Sequence, residues 1–180
     1  MEPDPSISLS VQILFLLLLI LINAFFASAE MAIVSVNKNK IKVLAQDGNK
    51  KAKLLLKLNE EPNKFLSTIQ VAITLAGFLA SAVAATTMAD KIAVFLTKHG
   101  IMYGTQIAVT LVTLALSYVT LVLGELYPKR MALQYSEKIA LFCVKPIIYI
   151  SKFAKPFVWL LSASVGVLLR LTGVKDTNIE

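Results

Sequence analysis

Charge is scarce in this chain. Only 16% of its 180 residues are Asp, Glu, Lys or Arg, while 57% are hydrophobic and the mean hydropathy is +0.72; an average soluble domain carries about a quarter charged residues. That balance argues against a soluble globular enzyme. A single cysteine, Cys143, excludes an internal disulfide, and a single histidine, His99, excludes a His-rich metal centre. There is no nucleophile–base pair, Cys/His cluster or phosphate-binding glycine loop, so catalysis is not expected. Ser28 and Glu30, two residues apart, fall on different helix faces. The net charge of +7 would suit a nucleic acid. The basic residues flank apolar runs, however, as they do at a cytoplasmic membrane surface, so lipids rather than nucleic acid are the expected partners.

Three windows lack Asp, Glu, Lys and Arg altogether: Pro5 to Ala29, Phe65 to Ala89 and Gly100 to Gly124, each 25 residues long. At about 1.5 Å per residue, a helix of that length exceeds the ~30 Å hydrocarbon core of a bilayer. Three transmembrane helices are therefore predicted. The first window ends in Ala27-Ser28-Ala29, which is similar to a signal-peptidase site. Glu2 and Asp4 stand where a signal peptide needs basic residues, and the run exceeds a normal apolar core, so a retained helix is expected.

Lysine placement sets the direction. The segment from Val36 to Lys64 holds eight lysines, and the tail beyond Gly124 holds Lys129, Arg130, Lys138, Lys145, Lys152, Lys155, Arg170 and Lys175; the N-terminal tip is acidic, and the Asp90 to His99 connection is nearly balanced. The positive-inside rule then puts the N-terminus outside and the C-terminus in the cytoplasm. Residues 1–135 read as a three-span core in the inner (plasma) membrane, including a cytoplasmic loop at 36–64. That loop reads as one or two short amphipathic helices with a turn at Asp47-Gly48-Asn49. Residues 136–180 read as an interfacial juxtamembrane belt: Lys138, Lys145 and Lys152 recur every seven residues, Pro146 and Pro156 interrupt the run, and Phe157 to Leu169 is too short to cross alone. The fold class is an all-α membrane protein.

The spans carry polar stripes. Ser67, Gln70, Thr74, Gly77 and Ser81 share one face of the second; Gln106, Thr110, Thr113, Ser117, Thr120 and Gly124 share one face of the third; Asn23, Ala27 and Glu30 do so on the first. Close helix packing accounts for small and hydroxyl residues taken singly. The acids Glu30 and Glu125 need more, because a carboxylate at that depth is costly unless it meets water, a cation or a partner. Pro128 has no N–H, so the Gly124 carbonyl loses its helical donor, and Tyr127, preceding proline, is expected to leave the helical region. The third helix should therefore break beside a carboxylate and a bare carbonyl, with Lys129 at hand to pair with an acid. The expected pocket opens inward and is lined by Glu125, the Gly124 carbonyl, Asn23, Gln70 and Thr74. Oxygen donors alone suit hard cations such as Mg²⁺ or Na⁺.

Phe25-Phe26-Ala27-Ser28-Ala29-Glu30-Met31-Ala32, Gln70-Val71-Ala72-Ile73-Thr74-Leu75-Ala76-Gly77 and Leu123-Gly124-Glu125-Leu126-Tyr127-Pro128-Lys129-Arg130 resemble the transmembrane domain of the CNNM/CorC (hemolysin-like, cyclin-M-type) family of magnesium transport proteins. The resemblance covers nearly the whole chain, and its most specific part is Gly-Glu-x-x-Pro-Lys. It implies a homodimer of three-span subunits with an inward-facing Mg²⁺ site, and Mg²⁺ export coupled to Na⁺ entry. It also implies a nucleotide-binding cytosolic CBS pair after the membrane part; the chain stops at Glu180, so a shortened sequence without that domain is expected.

Where magnesium-binding relatives have two serines four apart on the first helix, this chain has Asn23 and Ala27; where they have Gly-Asn on the second, it has Ala72 and Ile73. Glu125, Gly124 and Asn23 thus carry over as the expected metal ligands, with Gln70, Thr74, Gly77, Glu30, Ser117, Thr120 and Pro128 along the transport path. Three readings stay open. The leading one is export of Mg²⁺; the second is export of a diamine such as cadaverine or putrescine, held by Glu30 and Glu125; the third is a non-transporting membrane sensor or scaffold.

Overall fold

The computed structural model describes residues 9–60 and 62–172. Among these, every regular element is a helix. The acidic tip with Glu2 and Asp4, and Lys175, lie outside the described residues. The chain runs as α1 (Leu9–Ser35), α2 (Lys38–Gln46), α3 (Lys50–Glu60), α4 (Pro62–Lys98), α5 (Gly104–Leu121), a π-helical turn (Val122–Leu126), α6 (Tyr127–Gln134) and α7 (Ser136–Thr172).

Four helical stretches, not three, are long and apolar enough to cross a membrane: Ser10–Ser35, Phe65–Lys98, Gly104–Gln134 and Ser136–Thr172. The extra one is α7. Its Pro146 and Pro156 sit inside a continuous helix of 37 residues, so the segment after Pro156 does not stand alone. Each proline removes one backbone donor, and the helix tolerates both losses. α4 also runs further than its charge-free window, through Asp90 and Lys91 to Lys98. It ends where Gly100, at φ +72°, lets the Gly100 N–H reach the Thr97 carbonyl and the Ile101 N–H reach that of Leu96. This double closure satisfies two of the carbonyls in the last turn and needs a left-handed residue, which glycine supplies without strain.

The chain packs as two compact units. One comprises α1, α4 from Ala72 onward, α5, the π turn, α6 and the start of α7 to Ala140. Its core joins Leu16 and Leu19 of α1, Ala76, Ala80, Ala84 and Ala89 of α4, and Val112 of α5. Ala76, Ala80 and Ala84, at steps of four, give α4 a smooth side, which lets helices approach closely; in lipid such close packing drives association, since burial from water does not. The outward surface is apolar instead: Leu14, Leu21, Phe78, Leu114 and Tyr118 are all exposed, as a bilayer-facing surface requires. α1 packs mainly on the π turn and α6, with Ala27, Ala29 and Ala32 completely buried.

The other unit comprises α2, α3, the start of α4 to Val71 and α7 from Leu141. Asn37 caps α2 by accepting from the Asn39 and Lys40 N–H groups, and Asn49 caps α3 by accepting from Lys51 and Ala52. Gly48 at φ +90° turns the chain between them. Ile41 and Ala45 of α2, and Ala52 and Leu55 of α3, are buried, while the lysines of both helices point outward.

Candidate functional site: two carboxylates at a π turn

The sequence at Gly124-Glu125-x-x-Pro128 does not break the helix. It widens it. Tyr127 stays helical at φ −64°, ψ −49°, and its N–H bonds to the carbonyl of Val122, five residues back. An α-helical turn would drive the Pro128 ring into the Gly124 carbonyl; the wider π turn accommodates the ring and lets α6 continue with Pro128 buried near its start. The expected break at Tyr127 is thus replaced by a register change within one span, Gly104–Gln134. Gly124 keeps a carbonyl whose ordinary helical donor, four residues on, does not exist, because that residue is proline. Single π turns inside α-helices recur at functional sites.

Gly124 is where α1 meets this turn. A methyl group placed on it would lie 3.4 Å from the Asn23 Cβ, 3.5 Å from the Thr120 Cγ2 and 3.6 Å from the Ile20 carbonyl oxygen. Around that point two buried oxygens have no hydrogen-bond partner: Oδ1 of Asn23, a residue only 4% exposed, and Oγ1 of Thr120. Thr120 departs from a pattern set elsewhere in these helices. The hydroxyls of Thr97 and Thr110 bond back to the carbonyls of Ala93 and Gln106, at 2.8 and 2.9 Å, the usual fate of a mid-helix threonine. Thr120 makes no such bond.

Nearby, the ammonium of Lys129 lies between the two acids. It donates to Glu125 Oε1 at 2.8 Å and pairs with Glu30 Oε2 at 3.3 Å. The second contact is an ion pair without hydrogen-bond geometry, and that oxygen has no other partner among the described residues. The three side chains are partly exposed, at 23% for Glu30, 34% for Glu125 and 24% for Lys129. Glu125 also borders an open groove of about 210 Å³, shared with Gly77 and Ser81 of α4 and with Leu116, Ser117, Thr120 and Leu121. A methyl group on Gly77 would meet no atom within 4 Å, so this glycine leaves groove space and makes no tight helix contact. The groove has room for several water molecules.

The fold therefore gathers Asn23, Thr120 and Gly124 at one point, links Glu30 to Glu125 through Lys129, and sets Gly77, Ser117, Thr120 and Glu125 around one groove. Thr74 is exposed and lies outside the groove lining. It shares a helix face with Ser81 but stands seven residues away, about 10 Å along the axis. Gln70 is exposed and belongs to the other compact unit. Ser81 is a groove residue that the sequence places on the polar stripe without assigning it to the site. No group of three or more His, Cys, Asp or Glu residues suited to a metal occurs among the described residues; any cation here would be met by two carboxylates and neutral oxygens.

Residues 13–180 match the family model described as the Cyclin M transmembrane N-terminal domain. The chain is 40% identical to the UPF0053 protein sll0260 of Synechocystis over 84% of its own length and 34% of that protein's. It is 30% identical to the UPF0053 inner membrane protein YfjD of Escherichia coli, over 85% and 33% of the two lengths. It is 32% identical to a protein of Haemophilus influenzae named polyamine export protein, over 83% and 35%. The chain thus spans about a third of the length of these relatives. On the match across almost all of its length, the chain belongs to the Cyclin M transmembrane N-terminal domain family.

Proposed function

We propose that this chain is the membrane part of a cation exporter, and that its cargo is Mg²⁺ taken from the cytoplasm. One observation carries the reading: the amide oxygen of Asn23 and the hydroxyl of Thr120 are buried without a partner beside Gly124, next in the chain to Glu125. Leaving polar atoms buried and unpaired is costly unless something transient satisfies them, and an all-oxygen set of this kind suits a hard cation. Mg²⁺ commonly binds through one or two carboxylates while keeping several of its waters. Ala27, Ala72 and Ile73 offer no side-chain oxygen, and the groove beside Glu125, with room for several waters, supports a largely hydrated ion. In this reading Glu125 supplies the charge, Gly124 a carbonyl and Asn23 an amide oxygen. The protein works as a homodimer in the inner membrane with its C-terminus in the cytoplasm, and Na⁺ entry drives export.

A second reading is export of a diamine. It is favoured by the seat of the Lys129 ammonium between Glu30 and Glu125, which is the contact one end of a diamine would make, and by the likeness to a protein named for polyamine export.

Calorimetry of the purified protein with Mg²⁺, putrescine and cadaverine, paired with flux into proteoliposomes, tests both. Glu125→Gln is expected to lower affinity at least about tenfold and to abolish flux while helix content stays unchanged. Affinity and flux retained in Glu125→Gln would remove the central ligand. Diamine binding with no response to Mg²⁺ would select the second reading, and no binding of either would leave a membrane anchor.

A further inference from the structure

The seat between Glu30 and Glu125 is already taken by a positive charge that belongs to the protein. Lys129 reaches Glu125 on the π turn at 2.8 Å and Glu30 on α1 at 3.3 Å. The spacing of Glu125 and Lys129, four residues apart, would give a helix surface pair anywhere. The third partner, from another helix, makes this a bridged site with charges of −2 from the acids and +1 from the tether. The bridge is also incomplete. Asn23 Oδ1, in a residue 4% exposed, and Thr120 Oγ1, on the groove that Glu125 borders, remain without hydrogen-bond partners beside Gly124 while the ammonium is seated. Because Lys129 is itself about a quarter exposed, its ammonium can move to water when displaced.

Resting on the cation-binding reading above, we infer that Lys129 is a tethered competitor that sets a valence threshold for this site. A free Na⁺ or K⁺ entering between the acids exchanges one positive charge for another. It also sheds hydration and expels a group held at high effective concentration by its tether. A dication brings a second charge to the same two carboxylates, and its Coulomb attraction doubles. The site therefore ignores abundant monovalent ions and yields to dications, whether Mg²⁺ or the two linked ammonium groups of a diamine. Any Na⁺ that drives export then binds at oxygens other than these.

The test is calorimetry of wild type, Lys129→Met and Lys129→Arg with MgCl₂ and with putrescine, each in choline chloride and in NaCl at equal ionic strength. In wild type, replacing choline by Na⁺ is expected to change dication affinity by less than about twofold. Lys129→Met should bind the dication at least about tenfold more tightly in choline and lose that gain in Na⁺. Lys129→Arg, which keeps the tethered charge, should behave as wild type, an outcome that a purely packing role for lysine does not predict. Unchanged or weaker dication binding in Lys129→Met overturns the threshold, as does competition by Na⁺ in wild type. Should Lys129→Met fail to purify in helical form, Na⁺ competition in wild type and Lys129→Arg decides alone: its presence overturns the threshold and its absence supports it. Dication binding in wild type with an unaltered Met variant removes the threshold only; no dication binding in any of the three proteins removes the cation reading and the threshold with it.

Discussion

Asn23 is an expensive residue to bury. Its amide oxygen sits in a residue 4% exposed with no partner, and such a group costs about 1–3 kcal/mol when unpaired. Packing alone would favour Leu, which has the same branching and number of side-chain heavy atoms and has nothing to desolvate. If the oxygen is there for a cation, removing it should improve the empty protein and harm the loaded one. Asn23→Leu is expected to melt a few degrees above wild type in chelator, and to lose most of the upward shift that wild type gains with saturating Mg²⁺. Thermal unfolding in detergent, with and without the ion, measures both. A variant that melts lower in chelator would show that Asn23 is structural. At this scale much was legible: the periodicity put Asn23 and Glu30 on one face and singled out Glu125 and Lys129 by their charge. What could not be read was which hydroxyl stays unbonded. Thr110 and Thr120 occupy equivalent stripe positions in the sequence, and only packing around Gly124 separates them.

The same limit appears in the helices themselves. Proline rules correctly state that Pro128 deprives Gly124 of its donor, but they do not say whether the helix then breaks or widens. It widens, because a turn bonded five residues back makes space for the ring, and Tyr127 stays helical. A π turn adds one residue to a turn, which rotates everything beyond it by about 100° relative to a continuous α-helix. Lys129 and Arg130 owe their direction to that rotation. Pro128→Ala restores the missing N–H and is expected to let the turn relax to α-helical bonding. Total helicity by circular dichroism should hold or rise slightly, while dication affinity falls at least about tenfold, as Glu125 turns away from Glu30 and Asn23. Unchanged affinity would mean that the turn survives without proline and that its cause lies elsewhere, in the packing of α1. The turn between α2 and α3 was legible for the opposite reason: Gly48 and Asn49 act within a few residues of themselves, so nothing distant had to be known.

For the molecule as a whole, length and composition identify what can lie in a membrane without saying how it lies there. α7 meets the requirement for a span, yet it is more one-sided than α1 or α4 and keeps Lys138, Lys145 and Lys152 exposed at seven-residue intervals. The cost of charge decides between the two placements. A lysine at the centre of a spanning helix costs about 2.5–3.5 kcal/mol, and a crossing that begins at Ser136 would carry Lys152 and Lys155 near its middle. A helix lying in the interface keeps the same lysines at the headgroups, and Phe142, Tyr149 and Phe153, exposed on the same side of the helix, lie at that level too. The expected outcome is therefore an interfacial α7. Cysteines introduced singly at Lys138 and Arg170, in a background lacking Cys143, should both react with a membrane-impermeant maleimide from the cytoplasmic side. A crossing helix would put the two positions, about 48 Å apart along the axis, on opposite sides, and labelling of Arg170→Cys from outside alone would establish a fourth span. That result would also reverse the orientation of everything attached beyond Thr172, which is why the placement of this one helix carries more weight than its distance from the carboxylates suggests.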